Sequence, residues 1–477
     1  MSVTVIRNAA WIVAWDKAAE AHRYVQDGDV AFDGDRIVHV GGRYEGPAAT
    51  EIDGRDRLVS PGLVNIHSHP SSEAMNKGFL DELGSPRLGM SSLYEFMPLF
   101  GPDDEGRQAC AEVTYSELLL SGVTTLVDLS PAWDGWLDTF AASGLRGIAA
   151  PMYRSARWFT DNGHEVKYEW DEAAGRAAMD AALDLVDRAG KHPSGRLSGM
   201  VSPSQIDTCT PELIRDSFAA AQDRGVPFQI HAAQSVVEFT EITRRHGMTP
   251  LEWLDSLGVL RPGAIIGHAI FLNDYGHVFW PEANDFKLLQ DSGAAVAHCP
   301  TVFQRRGITM NTVGRYIRGG IPVGLGTDTY PHNMLEEMRN ALYLSRVVSR
   351  NPYDLRTHDI FDAATTGGAA ILGRDDIGRL EVGAKADLFL ADITAPAMMP
   401  LRDPLRSLIY VAAERAVRDV FVDGRHAVVA GKVQAFDLEA SLERLQQAQR
   451  RAEKAFQGLD YANRQHDEAS PMVYPFA

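Results

Sequence analysis

The sequence has few cysteines and no long apolar run. Its 477 residues include only Cys110, Cys209 and Cys299, which are too few and too scattered for a disulfide framework and fit a reducing compartment. No apolar run approaches the ~20 residues of a membrane span. The first twenty residues also lack the basic, apolar and small-residue segments of a secretion signal. We therefore expect a cytoplasmic protein with no membrane partner.

Basic residues are also in short supply. Lysine and arginine number 46 against 64 aspartates and glutamates, and the net charge of −18 is spread along the chain rather than gathered in a tail. An acidic surface of this kind repels phosphate groups, which argues against nucleic acid as a partner. Apolar and charged contents of 45% and 23% are those of an ordinary globular protein.

Both ends of the chain have the pattern of short strands joined by Asp-Gly and Gly-Gly turns. Residues 1–60 and 379–435 share this pattern, whereas residues 61–378 between them do not. We predict that the two ends pair into one composite β-sandwich domain, with the middle of the chain inserted into it. Residues 436–477 add a helix of mixed charge and an irregular tail.

The middle of the chain alternates short apolar runs with helical patterns. The eight runs are 63–66, 123–129, 146–152, 197–203, 227–231, 264–270, 294–298 and 321–327. Continuous apolar strands separated by helices indicate a parallel sheet covered on both faces. Eight such units predict an α/β fold of the TIM (β/α)8 barrel type over 61–378. An open doubly wound sheet is the alternative, and the absence of a Gly-rich phosphate fingerprint after the first run disfavours it.

Polar residues with metal-binding side chains follow these runs. Active-site groups of a barrel lie at the carboxyl ends of its strands. The residues at those ends are His67 and His69 (run one), His231 (run five), His268 (run six), His298 (run seven) and Asp328 (run eight). Four histidine-bearing ends in a chain with 15 histidines favour one shared site.

The types of these residues predict a metal ion. Residues i and i+2 of a strand point to the same side, so His67 and His69 can converge on one ion. With His231 and Asp328 they complete a divalent site that keeps a position for water. We expect one ion per subunit, zinc in the first place, with iron, cobalt or manganese as alternatives. Such an ion lowers the pKa of water toward ~7 and makes hydroxide at neutral pH.

Each residue also has a structural interpretation when it is taken alone. His268 would be a packed histidine behind the site, and His298 would be a structural neighbour of Cys299. Asp328 would cap the helix that follows it. Their joint occurrence in barrel order favours the metal site.

Several segments resemble a known family. These are "PGLVNIHSHP", "IHAAQ", "GHAIFL", "AHCPT", "VGLGTD" and "GRLEVGAKADLFLAD". Together they are similar to the metal-dependent amidohydrolase superfamily, and closest to its deaminase and triazine-hydrolase branch. The resemblance implies one metal ion held by the four residues named above, a catalytic His268 that holds or polarises the water or the substrate, and a catalytic Asp328 that shuttles the proton. Run four, "SGMVSPSQ", offers no lysine for the carbamylated bridge of binuclear members.

The chain departs from that branch at two positions. Deaminases of the branch usually place a glutamate three residues after the histidine of run five, where it protonates a ring nitrogen. This chain has Gln234, which cannot supply a proton. The branch often has a histidine after run four, where this chain has Ser204.

These departures favour a substrate without a ring to protonate. We expect hydrolysis of an acyclic C–N bond in a urea, a carbamate or thiocarbamate, or an amide. The segment "GTDTYPHNMLEEMRNA" resembles hydrolases of phenylurea and thiocarbamate (molinate) herbicides, so an N-aryl or N-alkyl xenobiotic would be the substrate. The first alternative is a deaminase or chlorohydrolase of an N-heterocycle such as a triazine, purine or pyrimidine. A non-catalytic binding protein is the second.

Aromatic residues after the strand ends indicate an apolar pocket. We assign substrate contacts to Gln234, Ser204, His298, Trp133, Tyr153 and Trp158. The expected substrate is small, neutral and largely apolar, and the expected assembly is a homo-oligomer, a dimer or larger. The alternatives are that the aromatics only pack loops, and that Arg154, Arg157, Arg305 and Arg306 bind a substrate carboxylate.

Overall fold

The computed structural model describes residues 3–79, 85–89, 92–413 and 416–475, which form a mixed α/β fold. The strands of these residues are β1 (Val3–Asp16), β2 (Ala21–Asp33), β3 (Arg36–Val40), β4 (Thr50–Asp53), β5 (Arg57–Pro61), β6 (Leu63–Ser68), β7 (Val123–Asp128), β8 (Arg146–Ala149), β9 (Met152–Tyr153), β10 (Ala156–Phe159), β11 (Lys167–Trp170), β12 (Leu197–Gly199), β13 (Ser202–Pro203), β14 (Phe228–Ala232), β15 (Ala264–His268), β16 (Ala295–His298), β17 (Val323–Leu325), β18 (Leu388–Asp392), β19 (Val417–Val422), β20 (Arg425–Val429) and β21 (Lys432–Val433).

The helices of the same residues lie between these strands and after them. They are α1 (Asp104–Leu120), α2 (Trp136–Ala142), α3 (Glu172–Ala189), α4 (Pro211–Arg224), α5 (Val236–His246), α6 (Pro250–Ser256), α7 (Asp285–Ser292), α8 (Pro300–Gln304), α9 (Val313–Arg318), α10 (Met334–Ser349), α11 (Thr357–Asp362), α12 (Gly368–Ile371), α13 (Pro404–Ser407), α14 (Leu438–Leu459) and α15 (His466–Ala469). None of the helices in this part of the chain combines the length and apolar character that a membrane crossing requires.

Local sequence signals set the ends of these helices. In "TPELIRDSFAAAQDRG", the side chain of Thr210 accepts from the backbone N–H of Leu213 and Pro211 occupies the first turn of α4. Both features stabilise a helix start. Gly225 ends the helix with φ 63°, a left-handed conformation that glycine adopts without a steric penalty.

Nine strands from both ends of the chain form one sheet. Its order is β21-β20-β19-β18-β5-β1-β2-β3, and β4 pairs with β1. The two ends meet where β5 pairs with β18 in antiparallel fashion, with Val59 opposite Leu390. Both residues are buried in the same apolar cluster as Phe32 and Phe421. Residues distant in sequence therefore share one core.

The middle of the chain contains parallel strands. Each of the eight apolar runs includes a strand, and every residue of β6, β7, β8, β14, β15, β16 and β17 is buried. This burial on both faces explains why the runs are continuously apolar rather than alternating.

The parallel strands form two four-stranded sheets that are bridged at both edges. Their orders are β12-β8-β7-β6 and β14-β15-β16-β17. Bridges join Val201 to Phe228 at one edge and Ser68 to Asp328 at the other. The second bridge brings the first and the last strand of the series together, and the predicted site residues lie at that junction.

Candidate metal centre

The four predicted ligands meet at one point. The nearest ligand atoms of His67, His69, His231 and Asp328 all lie within 4.8 Å of one another. His67 is also within that distance of His268 and Cys299, so these two residues border the same centre. The structure therefore brings together side chains that are up to 261 positions apart (328 − 67) in the sequence.

Backbone pairing positions the first and last ligands. Asp328 N–H donates to the carbonyl of His67 at 2.9 Å, and His69 N–H donates to the carbonyl of Asp328 at 3.0 Å. Gly267 and Gly326 flank His67, and a Cβ atom on either would lie within 3 Å of it. Larger residues at these two positions would push the imidazole of His67 out of place.

Each of the three imidazoles has its Nδ1 atom fixed by an acceptor. Nδ1 of His67 lies 2.5 Å from Oε1 of Gln229. Nδ1 of His69 lies 2.6 Å from the carbonyl of Leu129, and that of His231 lies 2.6 Å from the carbonyl of Ser204. These acceptors require the proton on Nδ1, so each Nε2 presents a lone pair to the centre.

The facing Nε2 atoms fit a divalent cation. Nε2 of His69 and Nε2 of His231 are 3.3 Å apart, and Nε2 of His67 is buried with no hydrogen-bond partner in the described part of the chain. Oδ1 of Asp328 lies 3.0 Å from Nε2 of His69 and 3.4 Å from Nε2 of His67. Lone pairs in this arrangement repel one another unless a cation lies between them. Three imidazoles and a carboxylate are the donor set of such a site.

The buried charges of the centre stabilise one another. Burial alone would raise the pKa of Asp328, but the neighbouring imidazoles of His67, His69 and His268 hold that pKa well below its usual range. Burial alone would lower the pKa of His69, but the carboxylate of Asp328 raises it to about 9, so Nε2 of His69 binds a proton wherever a metal ion does not displace it. The carboxylate therefore favours cationic neighbours, as a metal ligand does.

His268 and His298 lie beside the centre as neutral side chains. Nε2 of His268 is 3.9 Å from Oδ2 of Asp328, and its ring packs against Phe303 at 4.6 Å. Burial lowers the pKa of His268 well below its usual value and that of His298 to about 3. Nδ1 of His268 has no partner among the described residues, so it can bond a substrate or water.

Gln234 lies on a tightly held loop after β14. The carboxylate of Glu238 accepts from the backbone N–H groups of Ala233, at 2.5 Å, and Gln234, at 3.3 Å. Ala233 has φ 55°, a left-handed conformation that costs an alanine about 1–2 kcal/mol and so marks a constrained turn. Nε2 of Gln234 is buried without a partner in the described residues, which leaves its amide free to bond a ligand.

The other predicted substrate contacts have varied surroundings. Ser204 is buried and supplies the carbonyl that fixes His231. The hydroxyl of Tyr153 donates to Ser217 at 2.6 Å, and Nε1 of Trp158 donates to Asp207 at 2.8 Å, so neither polar group is directed at the centre. Nε1 of Trp133 is buried without a partner within the described ranges.

Two of the four arginines proposed for a carboxylate, Arg305 and Arg157, have partners within the protein. Arg305 donates to Oγ1 of Thr329 at 3.0 Å and lies over the ring of Tyr330 at 3.9 Å. Arg157 is exposed and pairs with Glu169. These contacts account for both guanidinium groups without a substrate.

Sequence reasoning missed three residues around the centre. Gln229 lies two positions before His231 on the same side of β14, and this spacing could have revealed it. Glu73 is buried, its pKa is raised by burial, and His69 and Asp328 influence it electrostatically. His332 is buried with neither ring nitrogen bonded among the described residues, four positions after Asp328.

Imidazoles with fixed tautomers around an aspartate, at the ends of parallel strands, are typical of metal-dependent hydrolases. The sequence pattern of the amidohydrolase family matches residues 58–427, and the chain belongs to this family. The predicted resemblance to the amidohydrolase superfamily is thereby confirmed, and its curated relatives include deaminases. The protein is a hydrolase of C–N bonds other than peptide bonds, and it depends on a divalent metal.

The chain is similar to one curated relative and two solved structures that help to describe it. The chain is 31% identical to the 5-methylthioadenosine/S-adenosylhomocysteine deaminase of Natronomonas pharaonis, over 87% of this chain and 90% of that protein. A zinc-bound adenosine deaminase from Xanthomonas campestris has a TM-score of 0.81 at 23% identity, over 94% and 98% of the two chains. A triazine hydrolase from Arthrobacter aurescens has a TM-score of 0.78 at 24% identity, over 94% and 100%.

The prediction of acyclic C–N hydrolysis is wrong. Relatives that match about nine-tenths of the chain or more are named 5-methylthioadenosine/S-adenosylhomocysteine deaminase or 5'-deoxyadenosine deaminase, which favours the heterocycle alternative. The predicted phenylurea hydrolase activity and the predicted role in xenobiotic degradation are therefore not supported either. The error came from giving one side chain, Gln234, more weight than the whole chain. A carboxamide at this position still offers a hydrogen bond to a ring nitrogen.

Proposed function

We propose that the protein is a mononuclear metal-dependent deaminase of an amino-substituted N-heterocycle, of the adenine nucleoside kind. The convergence of His67, His69, His231 and Asp328, with Nδ1 of every imidazole fixed, carries this proposal. The names of the deaminase relatives supply the substrate class. Water adds to the ring carbon that bears the amino group, ammonia leaves, and a carbonyl replaces the amine.

We assign the metal ligands to the three imidazoles and Asp328, and the ion to zinc, which suits a set of nitrogen ligands with one carboxylate. When bound, the ion would lower the pKa of water at the site and so supply a nucleophile at neutral pH. Asp328 takes the proton of that water and passes it to the leaving amine. His268 lies beside Asp328 and would hold the water or the substrate through its unbonded Nδ1 atom.

Gln234 positions the ring. Its unpartnered Nε2 atom donates a hydrogen bond to a ring nitrogen, and Glu238 holds the loop that aims it. Because an amide cannot protonate the ring, Gln234 contributes orientation and not acid catalysis. The deaminase therefore works without an acid at this position.

The same family membership supports the finer architecture. We propose that the two bridged parallel sheets close into a (β/α)8 barrel over residues 61–378. The nine-stranded sheet of 1–60 and 379–435 would form the accompanying β-sandwich, followed by 436–477. Residues 1, 2, 80–84, 90, 91, 414, 415, 476 and 477 of these ranges lie outside the described residues.

A substrate panel tests the proposed function. Metal-replete protein is incubated with 5'-methylthioadenosine, S-adenosylhomocysteine, 5'-deoxyadenosine, adenosine, guanine, an aminotriazine and an N-aryl urea. Ammonia release and mass spectrometry of the products are the readouts. We expect replacement of an amino group by oxygen on at least one heterocycle, and none with Asp328→Ala. Cleavage of the urea with every heterocycle untouched would disprove the proposal.

A further inference from the structure

A large cleft lies away from the metal centre. It has a cavity volume of about 880 Å³ and lies between the β1–β2 hairpin, the end of α10, α11 and the segment around α13. Small-molecule sites typically have volumes of roughly 300–1,000 Å³. The lining contains none of the residues assigned above to the metal or the substrate. We call it the hairpin cleft.

The hairpin cleft is positively charged on an acidic protein. Its lining holds four arginines and two aspartates, whereas the whole chain has a net charge of −18. Arg23 pairs with Asp16 at 2.9 Å, and Arg406 pairs with Asp403 at 3.6 Å. The other two arginines, Arg346 and Arg356, form no ion pair within the described ranges. They are therefore available to an anion.

Arg346 is held in position for such a contact. Its Nε and Nη2 atoms donate to the carbonyl of Leu355 at 3.2 and 3.0 Å, and the guanidinium lies over the ring of Tyr410 at 5.6 Å. Nη1 has no partner among the described residues. A guanidinium fixed on two sides loses little side-chain entropy when it binds a carboxylate or a phosphate.

A buried imidazole completes the site. The side chain of His22 is 8% exposed, and its ring lies edge-on to Phe361 at 5.2 Å. Its Nδ1 atom is buried with no hydrogen-bond partner in the part of the chain that the structure describes. An unbonded polar atom at this depth calls for a partner from outside the protein.

The other walls are aromatic. Tyr24 and Tyr410 line the hairpin cleft, together with Tyr353, which is 79% exposed. Faces of this kind stack on planar groups.

We propose that the hairpin cleft binds a small anion with a planar apolar body, such as an aromatic carboxylate or an aryl phosphate. Arg346 and Arg356 would hold the anionic group, and the aromatic walls would hold the ring.

Isothermal titration of the full-length, metal-loaded protein tests this site. The probes are phenyl phosphate, benzoate and inorganic phosphate at fixed ionic strength. We expect both aryl ligands to bind, and phosphate alone to bind about tenfold more weakly, because it lacks the ring. Arg346→Ala and Arg356→Ala should each weaken aryl binding about tenfold, the loss of one charge-assisted contact.

Two controls make the outcome specific. Arg188→Ala removes an arginine of α3 that is 66% exposed and outside the cleft, and it should leave binding unchanged. Because Arg346 also supports Leu355, the exposed Arg356 tests the charge without disturbing a loop, and an unchanged Tm confirms that its fold is intact. Equal binding by the parent and Arg356→Ala would overturn the proposal. So would equal binding of phosphate and phenyl phosphate, or an oligomer that Arg356→Ala dissociates, since the hairpin cleft would then be a subunit contact.

Discussion

At the scale of single residues, the Nδ1 atoms of the three imidazoles matter to the geometry of the metal centre as much as the Nε2 atoms that face it. The acceptors on Nδ1 of His67, His69 and His231 fix each ring and its tautomer before any ion arrives. Two of these acceptors are main-chain carbonyls, and the third is the side chain of Gln229. Of the three acceptors, only the side chain of Gln229 can be removed by a substitution.

Substitution of Gln229 should weaken metal binding without unfolding the protein. Gln229→Leu removes the acceptor of His67 Nδ1–H, and loss of such a supporting contact typically lowers metal affinity about 10–100-fold. Competition with a chelating dye measures the affinity. Gln229→Glu keeps an acceptor oxygen and should retain most of the binding, so equal losses in both variants would contradict this explanation.

Gln234→Glu should increase deamination. A carboxylic acid at this position can protonate the ring nitrogen, and positioned general acids contribute about 10²–10⁴-fold to rates. Position 234 is buried, and burial would raise the pKa of the new acid and favour its protonated form. The measurement is kcat/KM on the best heterocycle of the panel. Gln234→Met serves as the control and should lose activity, and an unchanged rate in both variants would show that residue 234 does not face the ring.

The convergence of the proposed metal ligands could be predicted from sequence, but several of their neighbours could not. His67, His69, His231 and Asp328 all follow apolar runs, and strand ends have a fixed relation to the site of a barrel. The roles of Glu73 and His332 depend on where their loops fold, which no local pattern encodes. The reaction was mispredicted at Gln234 because a missing acid was taken to exclude a class of substrate.

At the scale of elements, buried apolar runs predicted the parallel strands because both faces of these strands are covered. The short pair β10–β11 was not predicted, since its residues alternate between buried and exposed or are only partly covered. The β1–β2 hairpin packs onto α11 through His22, whose Nε2 atom lies 3.3 Å from Oγ1 of Thr365 and 3.7 Å from Oδ1 of Asp362. Burial of this imidazole makes the hairpin sensitive to acid.

Acid should loosen the hairpin through His22. Burial, with a further effect from the charge of Arg379, lowers the pKa of His22 from 6.5 to about 4. The unfolded chain therefore binds this proton more tightly, so the stabilisation is complete above pH 6.5 and is lost as the pH falls to 4. The loss amounts to about 3 kcal/mol in the free energy of unfolding.

Urea unfolding from pH 7 to pH 4 measures this effect. His22→Gln should lose less stability over that range than the parent protein. The control is His358→Gln, which replaces an exposed imidazole at the same cleft and should keep the dependence of the parent. If His22→Gln and the parent lose stability in parallel, burial of His22 is not the cause.

At the scale of the whole molecule, a buried ion network joins the nine-stranded sheet to the parallel strands. Arg146, at the start of β8, donates to both carboxylate oxygens of Asp387 at 2.8 and 3.0 Å and to Asp423 at 2.8 Å. Arg146 and Asp387 are almost fully buried. The pairing of the chain ends followed from their shared turn pattern, but this network joins positions that no sequence pattern links.

Asp387→Ala should destabilise the whole protein. It leaves Arg146 buried with one partner, and breaking a buried pair in this way costs about 3–5 kcal/mol. Asp53→Ala removes an exposed pair with Arg55 on the same sheet and should leave the stability almost unchanged. Urea midpoints of the two variants provide the comparison. Similar values would show that the network does not hold the two parts together.

The carbonyl groups of Leu129 and Ser204 affect how the centre can evolve as well as its chemistry. A point mutation replaces a side chain and leaves the carbonyl in place, so a codon change at either position keeps the acceptor of His69 or His231. Lineages that inherit this gene can therefore alter the surroundings of the centre and exchange one substrate for another while the rings keep their orientation. Gln229 is the exception, because a substitution there removes the acceptor and would first lower the affinity for the metal.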